Sequence, residues 1–136
     1  MPYDIRIIST YPPRRCGIGT FSRDLATALG HFTAEVGTIR VAAIDDGNGP
    51  YGIPVDLVID QRNPRSWRDV VTHVCTRAGE ARNPTAVVLQ HEFGLDPDSA
   101  GKFGRGNNFV NLARAFHSRD LITLVYLHTV LDTPDP

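Results

Sequence analysis

The sequence predicts an α/β domain: a doubly wound parallel sheet of about five strands with helices on both faces. Three observations carry that expectation. Short apolar runs alternate with helix-periodic segments along the whole chain, and alternation of this kind favours a parallel sheet over segregated strands and helices. Polar or glycine residues begin abruptly where the apolar runs stop, after residues 8, 44, 89 and 127, as strand ends at a ligand edge do. The third is bulk: 136 residues, 41% hydrophobic and 21% charged, suit one globular domain, 1–136, large enough to bury a core. Right-handed crossovers then make 3-2-1-4-5 the natural strand order.

The elements follow in order. Residues 4–9 form the first strand, with Ile5, Ile7 and Ile8 suited to a strand covered on both faces. From Thr20 the residues Phe21, Leu25, Ala28, Leu29 and Phe32 recur at helical spacing and predict a stripe against the sheet. Residues 39–44 are the second strand, ended by Asp45, Asp46 and a Gly-Asn-Gly-Pro turn; residues 55–59 are the third. Asn63 as N-cap and Pro64 at the first helical position open the best-specified helix. Its Trp67, Val70, Val71, Val74, Cys75, Ala78 and Ala81 form one stripe, while Arg68, Asp69, Arg77 and Glu80 face water. Residues 86–89 are a fourth buried strand running into Gln90, His91 and Glu92. A glycine-rich stretch, 94–108, reads as a surface loop, functional or simply inserted. Asn107 and Asn108 cap a short helix with Phe109, Leu112, Ala113 and Phe116 inward, and residues 121–127 are a fifth strand ending at His128.

Composition excludes several classes. A net charge of -1 offers no global attraction to nucleic acid or anionic lipid. Cys16 and Cys75 are too few and too differently placed for a disulfide framework or metal knuckle, so the cytoplasm is the expected compartment. Neither a leader nor a membrane span is expected, since no apolar run approaches the roughly 20 residues a bilayer needs. Cys75 and Trp67 are expected in the core, and His31, His73 and His117 in solvent.

Residues 9–21, S-T-Y-P-P-R-R-C-G-I-G-T-F, are the richest stretch. Gly17 and Gly19 fall where a strand turns into a helix, where backbone N–H groups and the helix dipole favour an anion such as phosphate. G-x-G-x-x-S is one glycine short of the Rossmann dinucleotide fingerprint, and a plain tight turn explains the same glycines. Arg14 and Arg15 put two guanidinium groups on the rim. In the expected strand order Gly17 and Gly19 face His91 and Glu92, with His128 one strand further along. His91 and Glu92, being adjacent, point to opposite sides if extended. His91 reads equally as a structural histidine. No spacing supports a metal site, and no G-x-S-x-G elbow marks a serine nucleophile.

Three blocks, residues 8–21, V-V-L-Q-H-E-F-G at 87–94 and V-Y-L-H-T-V at 125–130, resemble in order the amino-terminal domain of family 4 glycosyltransferases of the two-Rossmann-domain (GT-B) architecture. The resemblance implies transfer of a sugar from a UDP- or GDP-linked donor to a sugar or lipid acceptor, with retention and without a cofactor or essential metal. It implies that Gly17, Gly19 and Thr20 lie at the donor diphosphate with Arg14 or Arg15 near an anionic group. By the same resemblance His128 reaches the donor sugar as the catalytic position, and His91 and Glu92 lie near the acceptor. It also implies a second, carboxy-terminal Rossmann domain with two glutamates eight positions apart; Glu35, Glu80 and Glu92 have no such spacing. The expectation is therefore an acceptor-side piece of a longer enzyme, inactive alone. Two alternatives stand beside it. One is an NAD(P)-binding Rossmann domain using Asp45 or Asp46, and the other a non-catalytic interaction domain, including a homodimer through surface that a second domain would cover.

Overall fold

The structure is a computed structural model that describes residues 1–91 and 108–128. Its elements run β1 (Tyr3–Ser9), α1 (Gly17–Leu29), β2 (Val36–Asp45), β3 (Val55–Asp60), α2 (Pro64–Glu80), β4 (Thr85–His91), α3 (Asn108–His117) and β5 (Ile122–Leu127). The five strands form one sheet in the order β3-β2-β1-β4-β5, every neighbouring pair parallel. This is a Rossmann-like, doubly wound arrangement.

The helices lie on both faces for a topological reason. The chain travels one way from β1 through β3 and the other way from β4 to β5, so right-handed crossovers send α1 to one face and α2 and α3 to the other. Strand alternation divides the core accordingly. Ile8, Ala42, Ile44, Ile59, Val87 and Leu89 pack with Trp67, Val70 and Val74 of α2 and with Phe109, Leu112 and Phe116 of α3. Ile7, Val41 and Ala43 pack with Ala26 of α1 and with Tyr11. Between β2 and β3 the crossover is a loop, and Tyr51 does a helix's work there by packing on the α1 side and donating its hydroxyl to Asp45 (2.8 Å).

Helix α2 matches its sequence. The Asn63 side-chain oxygen accepts from the Arg65 N–H at 3.0 Å, Pro64 occupies the first turn, and Trp67, Val70 and Val74 are buried with Cys75 packed beside them. Arg68, Asp69, Arg77 and Glu80 are exposed, as are His31, His73 and His117.

Helix α1 differs. It begins at Gly17, three residues before the periodicity suggests, and its buried residues are Ile18, Gly19, Ser22 and Ala26. Phe21 is 37% exposed, and Phe32 lies past the helix end in solvent. The cause is close approach: a Cβ on Gly19 would meet the Tyr11 backbone N at 3.3 Å. The helix therefore turns its small residues toward β1, and Phe21 moves to the rim.

Strand β5 differs as well. Its sequence is apolar throughout, yet Ile122, Leu124, Val125, Tyr126 and Leu127 are all roughly half exposed. Among the described residues it has β4 as its sole strand neighbour, and α1, the one helix there on its Tyr126 face, lies over β1. At the opposite sheet edge charge is prominent: Arg6 of β1, itself buried, grips Asp56 of β3 with its two terminal guanidinium nitrogens, and Arg77 pairs with the same carboxylate. The glycine-rich stretch expected to be a loop lies outside the described residues up to 107, and Asn108 begins α3.

Candidate functional site at the carboxyl edge

The loop from β1 to α1 is strapped to the two strands beside it. Arg14 donates Nη1 to the Ile44 carbonyl at 3.1 Å and to Gln61 Oε1 at 2.7 Å, and its Nε lies 3.5 Å from Asp46 Oδ2. The guanidinium that the sequence offered as an anion partner is thus engaged in holding the loop. Arg15 is exposed and remains the cationic group on the rim. Thr10, fully buried, donates to Cys16 Sγ at 3.4 Å.

The loop delivers an uncapped helix start. Cys16 is the N-cap in extended conformation and makes no side-chain cap, and α1 has no acidic residue in its first turn. The first intrahelical bond runs from the Thr20 N–H to the Cys16 carbonyl (3.1 Å). The N–H groups of Gly17, Ile18 and Gly19 therefore carry the positive end of a 13-residue helix with no side-chain oxygen from the N-cap to satisfy them. A Cβ on Gly17 would meet nothing within 4 Å, so packing does not demand glycine there; an approaching ligand would.

His128 reaches this corner from across the sheet. Its N–H donates to the His91 carbonyl at 3.0 Å, continuing the β4–β5 ladder by one step. Its ring stands edge-on to Phe21 of α1, with centroids 5.1 Å apart and planes at 83°, and lies 4.9 Å from Tyr126. Gly17, Gly19 and Thr20 on α1 and His128 after β5 thus occupy one end and one face of the sheet, linked through Phe21.

The period-two rule sends His91 the other way. Gln90, opposite Tyr126, shares the α1 face with His128, and its Oε1 lies 2.5 Å from His128 Nε2. His91 faces α3, where its ring stands edge-on to Phe109 at 4.8 Å and its buried Nδ1 has no hydrogen-bond partner among the described residues. The sequence expectation set His91 opposite the two glycines; it is Gln90 that lies on the α1 face of β4, with His91 on the α3 face. Glu92 lies outside the described residues. Ser9 and Ser22, both fully buried, share a hydrogen bond of 2.6 Å at the second turn of α1. Sequence reasoning passed over Gln90, Phe21 and this serine pair; alternation along β4 was the signal that could have found Gln90.

The acids that an NAD(P) reading needs are occupied. Asp45 accepts from Tyr51, whose hydroxyl burial and that same carboxylate hold in its protonated form well above the usual range. Asp46 accepts from Asn48 at 2.6 Å, and this bond, followed by the nearby Arg14 charge, lowers its carboxyl. Burial pushes the Cys75 thiol up, away from reactivity. Among the described residues no group of three or more His, Cys, Asp or Glu side chains could hold a metal ion, and no helix is long and apolar enough to cross a membrane.

Comparison with protein-family models, curated proteins and solved structures finds no match to this chain.

Proposed function

We propose that the chain is the acceptor-side, amino-terminal domain of a retaining glycosyltransferase that uses a UDP- or GDP-linked sugar, the resemblance of residues 8–21, 87–94 and 125–130 supplying the reaction class. One observation supports it above the others: the uncapped, acid-free start of α1 meets His128 through Phe21 at 5.1 Å. Developing negative charge on a leaving diphosphate is stabilised by preorganised N–H donors, and the first turn at Gly17, Ile18 and Gly19 offers them. His128 then contacts the donor sugar, Arg15 the rim, and His91 with the α3 side the acceptor. A second Rossmann domain contributes the rest of the donor site, so the chain alone binds donor weakly and transfers nothing. The reaction needs no metal in this reading, and the enzyme works in the cytoplasm.

Calorimetric titration with UDP-glucose and GDP-mannose tests this. Weak binding that Gly17→Ala and His128→Ala each reduce, with the fold intact, is the expected result. Tight binding of NADH, or sugar-nucleotide binding indifferent to both substitutions, would move the assignment to a dinucleotide or to no anion site at all.

A further inference from the structure

Gln90 is an anomaly in energetic terms. It is fully buried in β4, between β1 and β5; among the described residues its Nε2 has no partner, and its side chain makes one hydrogen bond, from Oε1 to His128 Nε2 at 2.5 Å. A half-satisfied buried amide costs stability that an apolar residue of the same length would not. Neighbouring buried positions of the same strand, Ala86, Val87 and Leu89, are apolar as expected. A residue that breaks the local rule while touching one polar group marks a functional constraint on that group.

The geometry points to Gln90 as the positioning residue of His128, holding the proton on Nε2 whenever the ring is neutral. The amide oxygen is an acceptor and has no proton to give, so the Nε2 facing it carries the hydrogen. Strand β4 is hydrogen-bonded on both sides, which makes the acceptor rigid. Phe21 and Tyr126 hold the ring by its edges and faces. In that tautomer Nδ1 is an acceptor, and whatever it meets must donate. Resting on the proposed glycosyltransferase reading, a neutral His128 ring so protonated suits a sugar hydroxyl that donates to Nδ1 better than a phosphate oxygen, and the diphosphate falls to the first turn of α1.

The tautomer is measurable without any ligand, by nitrogen-15 NMR of the histidine ring in the full chain. The expected result is a slowly exchanging Nε2–H on His128 and at least about a fivefold excess of that tautomer over the ratio in a solvent-exposed histidine side chain, the bias of one net hydrogen bond. In Gln90→Met the ratio falls back toward that of a solvent-exposed histidine side chain while the melting temperature stays level or rises; Gln90→Glu, which keeps an acceptor there, retains the Nε2–H. A proton on Nδ1 in the neutral wild-type ring, or a wild-type ratio no different from that of a solvent-exposed histidine side chain, overturns the inference even if neither variant folds. So does a Gln90→Met protein that is folded, less stable and unchanged in tautomer. Failure here leaves sugar-nucleotide binding untouched, and failure of that binding leaves the tautomer standing.

Discussion

Ser9 and Ser22 satisfy one another at 2.6 Å in a place neither hydroxyl can reach solvent. Removing one partner strands the other, whereas removing both strands nothing. Ser22→Ala should therefore destabilise the fold by about 1–3 kcal/mol, and Ser9→Ala combined with Ser22→Ala should recover most of that loss; a denaturant double-mutant cycle reads the coupling. The two glycines of the loop should part company in the same experiment. Gly17→Ala adds a methyl to open space in the first helical turn and should leave stability unchanged or raise it by up to about 1 kcal/mol. Gly19→Ala pushes against the Tyr11 backbone at 3.3 Å and should forfeit that gain to overpacking, at about 1–3 kcal/mol. If the order reverses, close approach of α1 to the loop is not what turns Phe21 outward.

At the scale of elements, α2 was legible because its signals are local. The Asn63 cap, Pro64 and a stripe centred on Trp67, Val70 and Val74 are all set by neighbours within a few turns. Asn63→Ala should cost about 1 kcal/mol, seen as a lowered urea midpoint. The buried face of α1 was not legible, because the contact that sets it is between Gly19 and a loop backbone rather than within the helix. The start of β1 is pinned by a carboxylate. Burial alone would raise Asp4, but the Thr38 N–H at 2.8 Å and the Asn83 amide at 3.1 Å outweigh it and hold the carboxyl below its ordinary value. A carboxyl whose folded pKa is depressed stabilises the fold above its unfolded pKa and loses that contribution as pH falls through the folded one. Asp4→Asn should thus be less stable than wild type near neutrality, with the gap closing below about pH 4; urea melts on either side of that value check it.

Across the whole molecule, cover is uneven. Strands β1 and β4 are hydrogen-bonded on both sides and supply the fully buried Ile7, Ile8, Val87 and Leu89, while β5 lies at the edge with Leu124 and Leu127 each 57% exposed. Amide exchange should follow that division. The amides of β1 and β4 should be slowest and those of β5 markedly faster, and equal protection across all five strands would contradict the edge position of β5.

The alternation of apolar runs and helical stripes by itself determined the α/β class, the strand order and the arrival of His128 at the same sheet end as Gly17 and Gly19. Those features depend on chain direction and on the handedness of crossovers, which every segment obeys separately. Only the tertiary structure decided that Gln90 Oε1 meets His128 Nε2, that Arg14 straps the loop, and that Phe21 stands between the two halves of the site. Each of those depends on register between strands or on how near a helix can come to a loop, and contacts so distant along the chain leave no local pattern to read.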